Sequence, residues 1–335
     1  MRNKIISNVL YALVIIIYII FDIMAIMGKK FAMYASLGIV IHYILSTMFH
    51  ELGLYVAGKM RKMVFIHGRI FVFEFYKKGK KTKLKLSLNE EAGETTMVST
   101  IEENAKKDLV ITSISGLLAT VAYILVNVIF GIVVGTQFSL WFFTFSNIIT
   151  IYMLIINLLP LSENSDGGIF FGLMFNRKNY SLLPKIAKIQ TMLYNGKTLS
   201  GLEEEFFDGE GVGQDVLNYY KIKYYQELKD YEKSYILCVD EINNSLYVDI
   251  LPELVFNSSM LGNTLQRDYE ELISYDLNVS SYFRAKSIFN QNIGDFVFAN
   301  ICLKTANTLL NEEFLKGISI IDKGLIEEIK AKIEP

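Results

Sequence analysis

Four apolar runs, at roughly 5–28, 32–58, 109–134 and 138–160, are each long enough to cross a bilayer, which takes about 20 residues of helix. Within lipid a chain must satisfy its own backbone hydrogen bonds, so runs of this length predict membrane-spanning α-helices. The first begins after Met1-Arg2-Asn3-Lys4 as a secretory signal would. Its apolar core is too long for one, and no small-residue cleavage site follows at Gly28-Lys29-Lys30, so it is predicted to stay as a span. A fifth apolar piece, Ile169 to Phe175, is too short to cross and is predicted to re-enter the membrane or cap a cavity. Hydrophobic residues make up 52% of the chain, with a mean hydropathy of +0.32. They are concentrated before residue 176, and charged helical patterns fill the remainder.

The expected fold is therefore an α-helical membrane protein with about four transmembrane helices, a cytoplasmic β-hairpin insert and a soluble α-helical domain. Its parts are an N-terminal span (1–30), a membrane core (31–176) with the insert at about 62–90, and a helical tail (177–335). Charge supports this division. The 33 Lys and Arg against 35 Asp and Glu leave a net charge of -2, which gives no footprint for nucleic acid. Twelve Lys and Arg lie between residues 59 and 107, whereas the turn Gly135-Thr-Gln-Phe-Ser139 is uncharged. The excess of basic residues places the insert, and with four crossings both termini, on the cytoplasmic side of a multi-pass cell-membrane protein. Only Lys29 and Lys30 dissent. Two cysteines, Cys238 and Cys302, exclude a disulfide-stapled scaffold and suit a reducing compartment.

In the insert, Val64 to Tyr76 and Thr82 to Leu88 alternate as strands do, with Lys77-Lys-Gly-Lys-Lys81 between them. The pattern predicts a hairpin that either covers the membrane surface or accepts an extended peptide along its edge. After Arg177 the apolar residues recur with helical period. Tyr219 to Val239 and Tyr282 to Leu303 resemble each other: a Tyr-rich helix, a turn with Asp230 or Asp295, an aromatic (Tyr231 or Phe296), then a small residue (Ser234 or Ala299) three further on. The pattern is similar to tetratricopeptide helix-turn-helix units; a non-repeating helical domain is the alternative. Either is expected to contact a protein partner or the hairpin.

Ionisable groups inside spans are costly and mark function. The second span carries His50-Glu51-Leu52-Gly53-Leu54, and the fourth runs into Asn157-Leu-Leu-Pro160 followed by Asp166-Gly167-Gly168. With Ser115-Gly116 in the span between, these two motifs over roughly 32–176 resemble the site-2 protease family of intramembrane zinc metalloproteases.

The resemblance implies a zinc ion, with His50 and Asp166 as metal ligands and Glu51 as the catalytic general base on metal-bound water. Asn157, Pro160 and Gly167 match the motif that shapes the substrate-side backbone. It further implies a peptide, or the transmembrane segment of a membrane protein, as the molecule acted upon. One departure changes the expectation. An active member carries H-E-x-x-H, whose histidines at i and i+4 face one way on a helix, and here Leu54 stands where the second histidine belongs. Two ligands remain of the three that catalytic zinc uses. His42 lies eight residues before His50, about 12 Å along a helix, His67 lies in the insert, and Glu163 and Asn164 offer only oxygen donors. The expected function is that of a pseudoprotease, with zinc-dependent proteolysis impaired or absent, that binds or regulates a partner. The alternative is an active zinc protease with an unconventional third ligand.

Overall fold

The computed structural model describes residues 15–78, 81–87, 93–159, 165–175, 177–242 and 246–333. Contacts divide the chain near Ser181 into two compact units, with the short stretches 77–81 and 100–103 grouped with the second.

The first unit is built on helices. Among the described residues, three are long and apolar enough to cross a membrane: α2 (Lys30–Met60), α3 (Ala105–Val134, extended by a turn back to Glu102) and α4 (Gln137–Leu158). A shorter apolar helix, α1 (Ile15–Ile26), precedes them; the start of the expected first span lies outside the described residues. α4 is not uniform, widening to a π-turn over Leu140–Thr144 and tightening over Phe145–Asn147. The apolar piece after it forms α5 (Asp166–Met174), capped by the Ser165 hydroxyl, which accepts from Gly168 N–H at 3.1 Å.

The helices are inside-out relative to a soluble bundle. On α2, Ser36, His42, Ser46, Thr47, His50 and Glu51 are buried, while Leu37, Val40, Ile44, Leu52 and Val56 are exposed. Their spacing of three to four residues gathers the polar groups on one stripe, and this suits a surrounding that solvates apolar side chains better than polar ones. Small residues let α2 and α3 approach closely: a Cβ added at Gly53 would stand 2.5 Å from Ala119 Cβ and 2.8 Å from the Ser115 carbonyl oxygen. At the end of α2, Arg61 donates to Asp108 on α3 (2.8 Å), whose other oxygen accepts from Ser99 (2.5 Å).

The insert differs from the expected hairpin. It is a four-stranded antiparallel sheet of β1 (Val64–Ile70), β2 (Phe73–Lys78), β3 (Lys81–Leu86) and β4 (Gly93–Val98), in the order β3-β2-β1-β4. The single strand expected over Val64 to Tyr76 is broken by a turn at Phe71, which takes a left-handed φ of 53°. That turn contains neither Gly nor Pro, so the alternation runs through it unmarked. β4, beyond the expected boundary at residue 90, pairs with β1 so that Arg69 lies opposite Glu94 on one side and Glu74 on the other.

The second unit is helical: α6 (Leu182–Tyr194), α7 (Gln214–Glu227), α8 (Tyr231–Glu241), α9 (Tyr247–Met260), α10 (Gln266–Ser274), α11 (Ser280–Asn292), α12 (Phe296–Leu309) and α13 (Lys316–Ile333). The resemblance between the two sequence segments is a resemblance of structure. Lys229 and Gly294 are both left-handed, at 62° and 85°. The following N–H groups, of Asp230 and Asp295, return to the carbonyls of Tyr225 and Asn290, each at 2.9 Å. Each aspartate then caps the next helix, accepting from Lys233 N–H at 3.1 Å and Phe298 N–H at 3.0 Å. α7–α8 and α11–α12 are thus equivalent helix hairpins.

Four charges meet inside this unit. Lys223 lies 2.6 Å from Glu253 and 3.2 Å from Asp322, and Arg284 lies 2.5 Å from each of the same two carboxylates. They come one each from α7, α9, α11 and α13. Gln226 adds a bond to Glu253 at 2.7 Å. Burial opposes both charges, yet Asp322 and Glu253 hold the Arg284 guanidinium above its ordinary range, and Arg284 and Lys223 hold the Asp322 carboxyl below its own.

Candidate functional site

His50 and Asp166, 116 positions apart in the chain, meet in the first unit with His50 Nε2 2.7 Å from Asp166 Oδ2. α2 brings the histidine on its buried stripe, and the N-terminal turn of α5 brings the aspartate. The close passage of α5 depends on Gly167, where a Cβ would run into the backbone of Leu158 and Asn157 at the end of α4. On the other ring nitrogen, His50 Nδ1 lies 3.0 Å from Thr120 Oγ1, and that hydroxyl donates to the Gly116 carbonyl at 3.0 Å. With its proton given to Gly116, the Thr120 oxygen accepts from Nδ1–H, so Nε2 is the nitrogen presented to the carboxylate. At 2.7 Å the nitrogen and the carboxylate oxygen are within hydrogen-bond distance of each other.

Both groups line a cavity of 480 Å³ together with Thr47, Glu51, Leu54, Gly93, Glu94, Thr95, Met153, Asn157 and Ser165. Of the residues marked by the sequence, His50, Glu51, Leu54, Asn157 and Asp166 are therefore brought together, and Gly167 holds the approach beneath them. Pro160, Glu163 and Asn164 lie outside the described residues. Glu51 is buried, with its Oε2 lacking a hydrogen-bond partner among the described residues. It also borders a second cavity, of 460 Å³, lined by α2 and sheet residues including Leu45, Met48, Phe49, Phe65, Ile70 and Phe75. Glu51 thus stands where a polar cavity and an apolar one adjoin.

The other two histidines are engaged elsewhere. His42 meets the Tyr123 hydroxyl at 2.6 Å and the Phe142 carbonyl oxygen at 2.8 Å. His67, on β1, lies 3.3 Å from Glu74 and 3.5 Å from Glu94. Its imidazole is held above the ordinary value, first by the hydrogen bond to Glu94, and the Glu94 carboxyl is held below its own, first by His67.

The donors among the described residues do not make up a catalytic zinc site. The i+4 position from His50 is filled by Leu54, which offers no lone pair, and Glu94 is turned to His67 and to Arg69 at 3.3 Å. No three His, Cys, Asp or Glu side chains among the described residues come together as a metal site. Among the described residues the two expected ligands, His50 and Asp166, fall short of the three protein ligands a catalytic zinc ion takes, with Glu51 beside them in the place of the general base.

Sequence reasoning missed Thr120 and β4. Thr120 follows Gly116 by four residues, a small–polar pair on the face of α3 that meets α2, and that spacing was a usable signal. β4 carried only a short alternation, Gly93-Glu-Thr-Thr-Met-Val98, too brief to separate from a loop. The chain matches no family model, no curated protein and no solved structure.

Proposed function

We propose that this chain is a site-2-protease-like protein of the cell membrane that engages a membrane-embedded or membrane-associated peptide without zinc-dependent cleavage, as a pseudoprotease that binds or regulates a partner. The observation that carries this reading is the direct 2.7 Å contact of His50 with Asp166 beside Leu54. A third donor would stand at residue 54 in an active member, and Leu54 offers none. The apolar cavity beside Glu51 suits a peptide's side chains, which supports binding as the retained activity. The excess of basic residues in the insert supports a cytoplasmic position for it and for both termini, where the helical tail would meet a protein partner.

One observation favours the second reading, an active zinc protease with an unconventional ligand: Glu51, the general base of that mechanism, faces the same cavity. Elemental analysis of the detergent-purified protein beside an Asp166→Ala control separates the two. Absence of zinc from folded protein is the expected result. Near-stoichiometric zinc that disappears in the control would overturn it and leave the protease.

A further inference from the structure

Part of the outward stripe of α2 lies under the sheet. Leu45, Met48, Phe49, Leu52 and Tyr55 recur at intervals of one to four residues on one side of the helix, are each between 36% and 51% exposed, and form the floor of the 460 Å³ apolar cavity. Phe65, Ile70 and Phe75, from β1 and β2, form its roof. Ile44 and Val56, on the same side of α2 but outside the cavity, are 41% and 46% exposed. The floor is therefore continuous with the face of α2 that suits lipid. From Leu45 to Tyr55 it runs about 15 Å along the helix, and 460 Å³ spread over that length leaves a cross-section of about 30 Å². A second helix, about 10–12 Å across with its side chains, needs roughly three times that. An extended peptide would need partners for its N–H and C=O groups, and over Phe65, Ile70 and Phe75 the roof offers none. In the order β3-β2-β1-β4 both β1 and β2 have a strand on either side, and the floor is a helix bonded to itself. A polymethylene chain has no such groups to satisfy.

Charge indicates which molecule brings that chain. Lys59, exposed and one turn beyond Tyr55, holds its ammonium 5.5 Å from the centre of the Tyr55 ring. It thus stands at the end of the cavity nearest Met60, where α2 ends and a lipid headgroup would lie. An acyl chain entering from that end leaves the phosphate of its lipid beside the ammonium, a pairing of opposite charges. We propose that the cavity between α2 and the sheet holds one acyl chain of a phospholipid, with the phosphate at Lys59. The inference does not depend on what the polar cavity binds; an apolar side chain of a peptide that enters from Glu51 has to displace the acyl chain.

The test is native mass spectrometry of the full chain after reconstitution in vesicles of phosphatidylethanolamine and phosphatidylglycerol and return to detergent. A single retained phospholipid is expected. Leu52→Trp, which fills the middle of the floor, should lower the retained lipid about tenfold, and Leu45→Trp at the far end should act likewise. Ile44→Trp, the same substitution outside the cavity, should leave it unchanged. Lys59→Gln should lower it about fivefold, the worth of one lysine beside a lipid surface. No retained phospholipid, an equal loss from Ile44→Trp, or retention unmoved by both Leu52→Trp and Leu45→Trp would overturn the proposal. So would free fatty acid or a peptide retained in place of phospholipid, or retention unmoved by Lys59→Gln, since each removes the phosphate contact on which the choice of ligand rests.

Discussion

His50, Glu51 and Asp166 in the first unit, and Lys223, Glu253, Arg284 and Asp322 in the second, are both clusters of buried ionisable groups, but they are built differently. The second is closed on itself: two cations face two anions, every charge has two opposite neighbours, and none of the four is more than 3% exposed. The first borders a cavity and holds one histidine against two carboxylates; each cluster leaves one charged group's atom, Glu51 Oε2 or Arg284 Nε, without a hydrogen-bond partner among the described residues. A closed, neutral cluster fixes the register of the helices that carry it. An open and unbalanced one leaves ionisable groups facing a cavity.

The contrast breaks most visibly if the closed cluster is opened. Arg284→Met leaves Glu253 and Asp322 facing Lys223 alone, and removing one partner of a buried ion pair costs about 3–5 kcal/mol. Thermal melting of the full chain should show the second unit lost first; an unchanged melt would mean that the four charges are not mutually dependent. In the first unit the comparable weak point is packing rather than charge. Gly53→Ala sets a Cβ 2.5 Å from Ala119 Cβ and must push α2 from α3, at a cost of about 1–3 kcal/mol; the same melt checks it.

Leu54→His sharpens the comparison by completing the open cluster. It should raise zinc affinity at least tenfold, the scale on which even surrounding groups alter a metal site, as read by competition with a chelator. No gain would mean that residue 54 does not face His50 and Asp166 together.

The smallest effect is the pH dependence of the sheet. His67 contributes fully below its unfolded value of about 6.5 and loses the contribution as pH rises through its raised folded value. Glu94 contributes above about 4.5 and loses it as pH falls through its lowered folded value. The pair is thus worth most between about pH 4.5 and 6.5. Amide exchange of β1 and β4, corrected for intrinsic rates, should be slowest in that window, and His67→Gln should flatten the profile.

Where apolar length and helical period carry the information, the sequence was sufficient. The helices α2, α3 and α4 follow from apolar runs of about 20 residues, because a continuous apolar segment of that length satisfies its own backbone in lipid as a helix. The equivalence of the two tail hairpins follows from a local pattern of capping aspartate, aromatic and small residue. Pairing of the H-E and D-G motifs was legible because each stood out as a polar group attached to an apolar helix.

The rest depended on contacts between distant residues. The left-handed turn at Phe71 and the pairing of β4 with β1 leave no local mark, since strand partners are chosen by the whole sheet. That Thr120 holds His50 Nδ1, or that Lys223, Glu253, Arg284 and Asp322 meet, could not be read from residues up to 99 positions apart. Composition and periodicity decided which segments of this protein are helices and which of them suit a membrane, because those are properties of a segment and its surroundings. Only the tertiary structure decided which buried charges find partners and which open onto a cavity, because the cost of burying a charge is settled by the groups the fold places beside it.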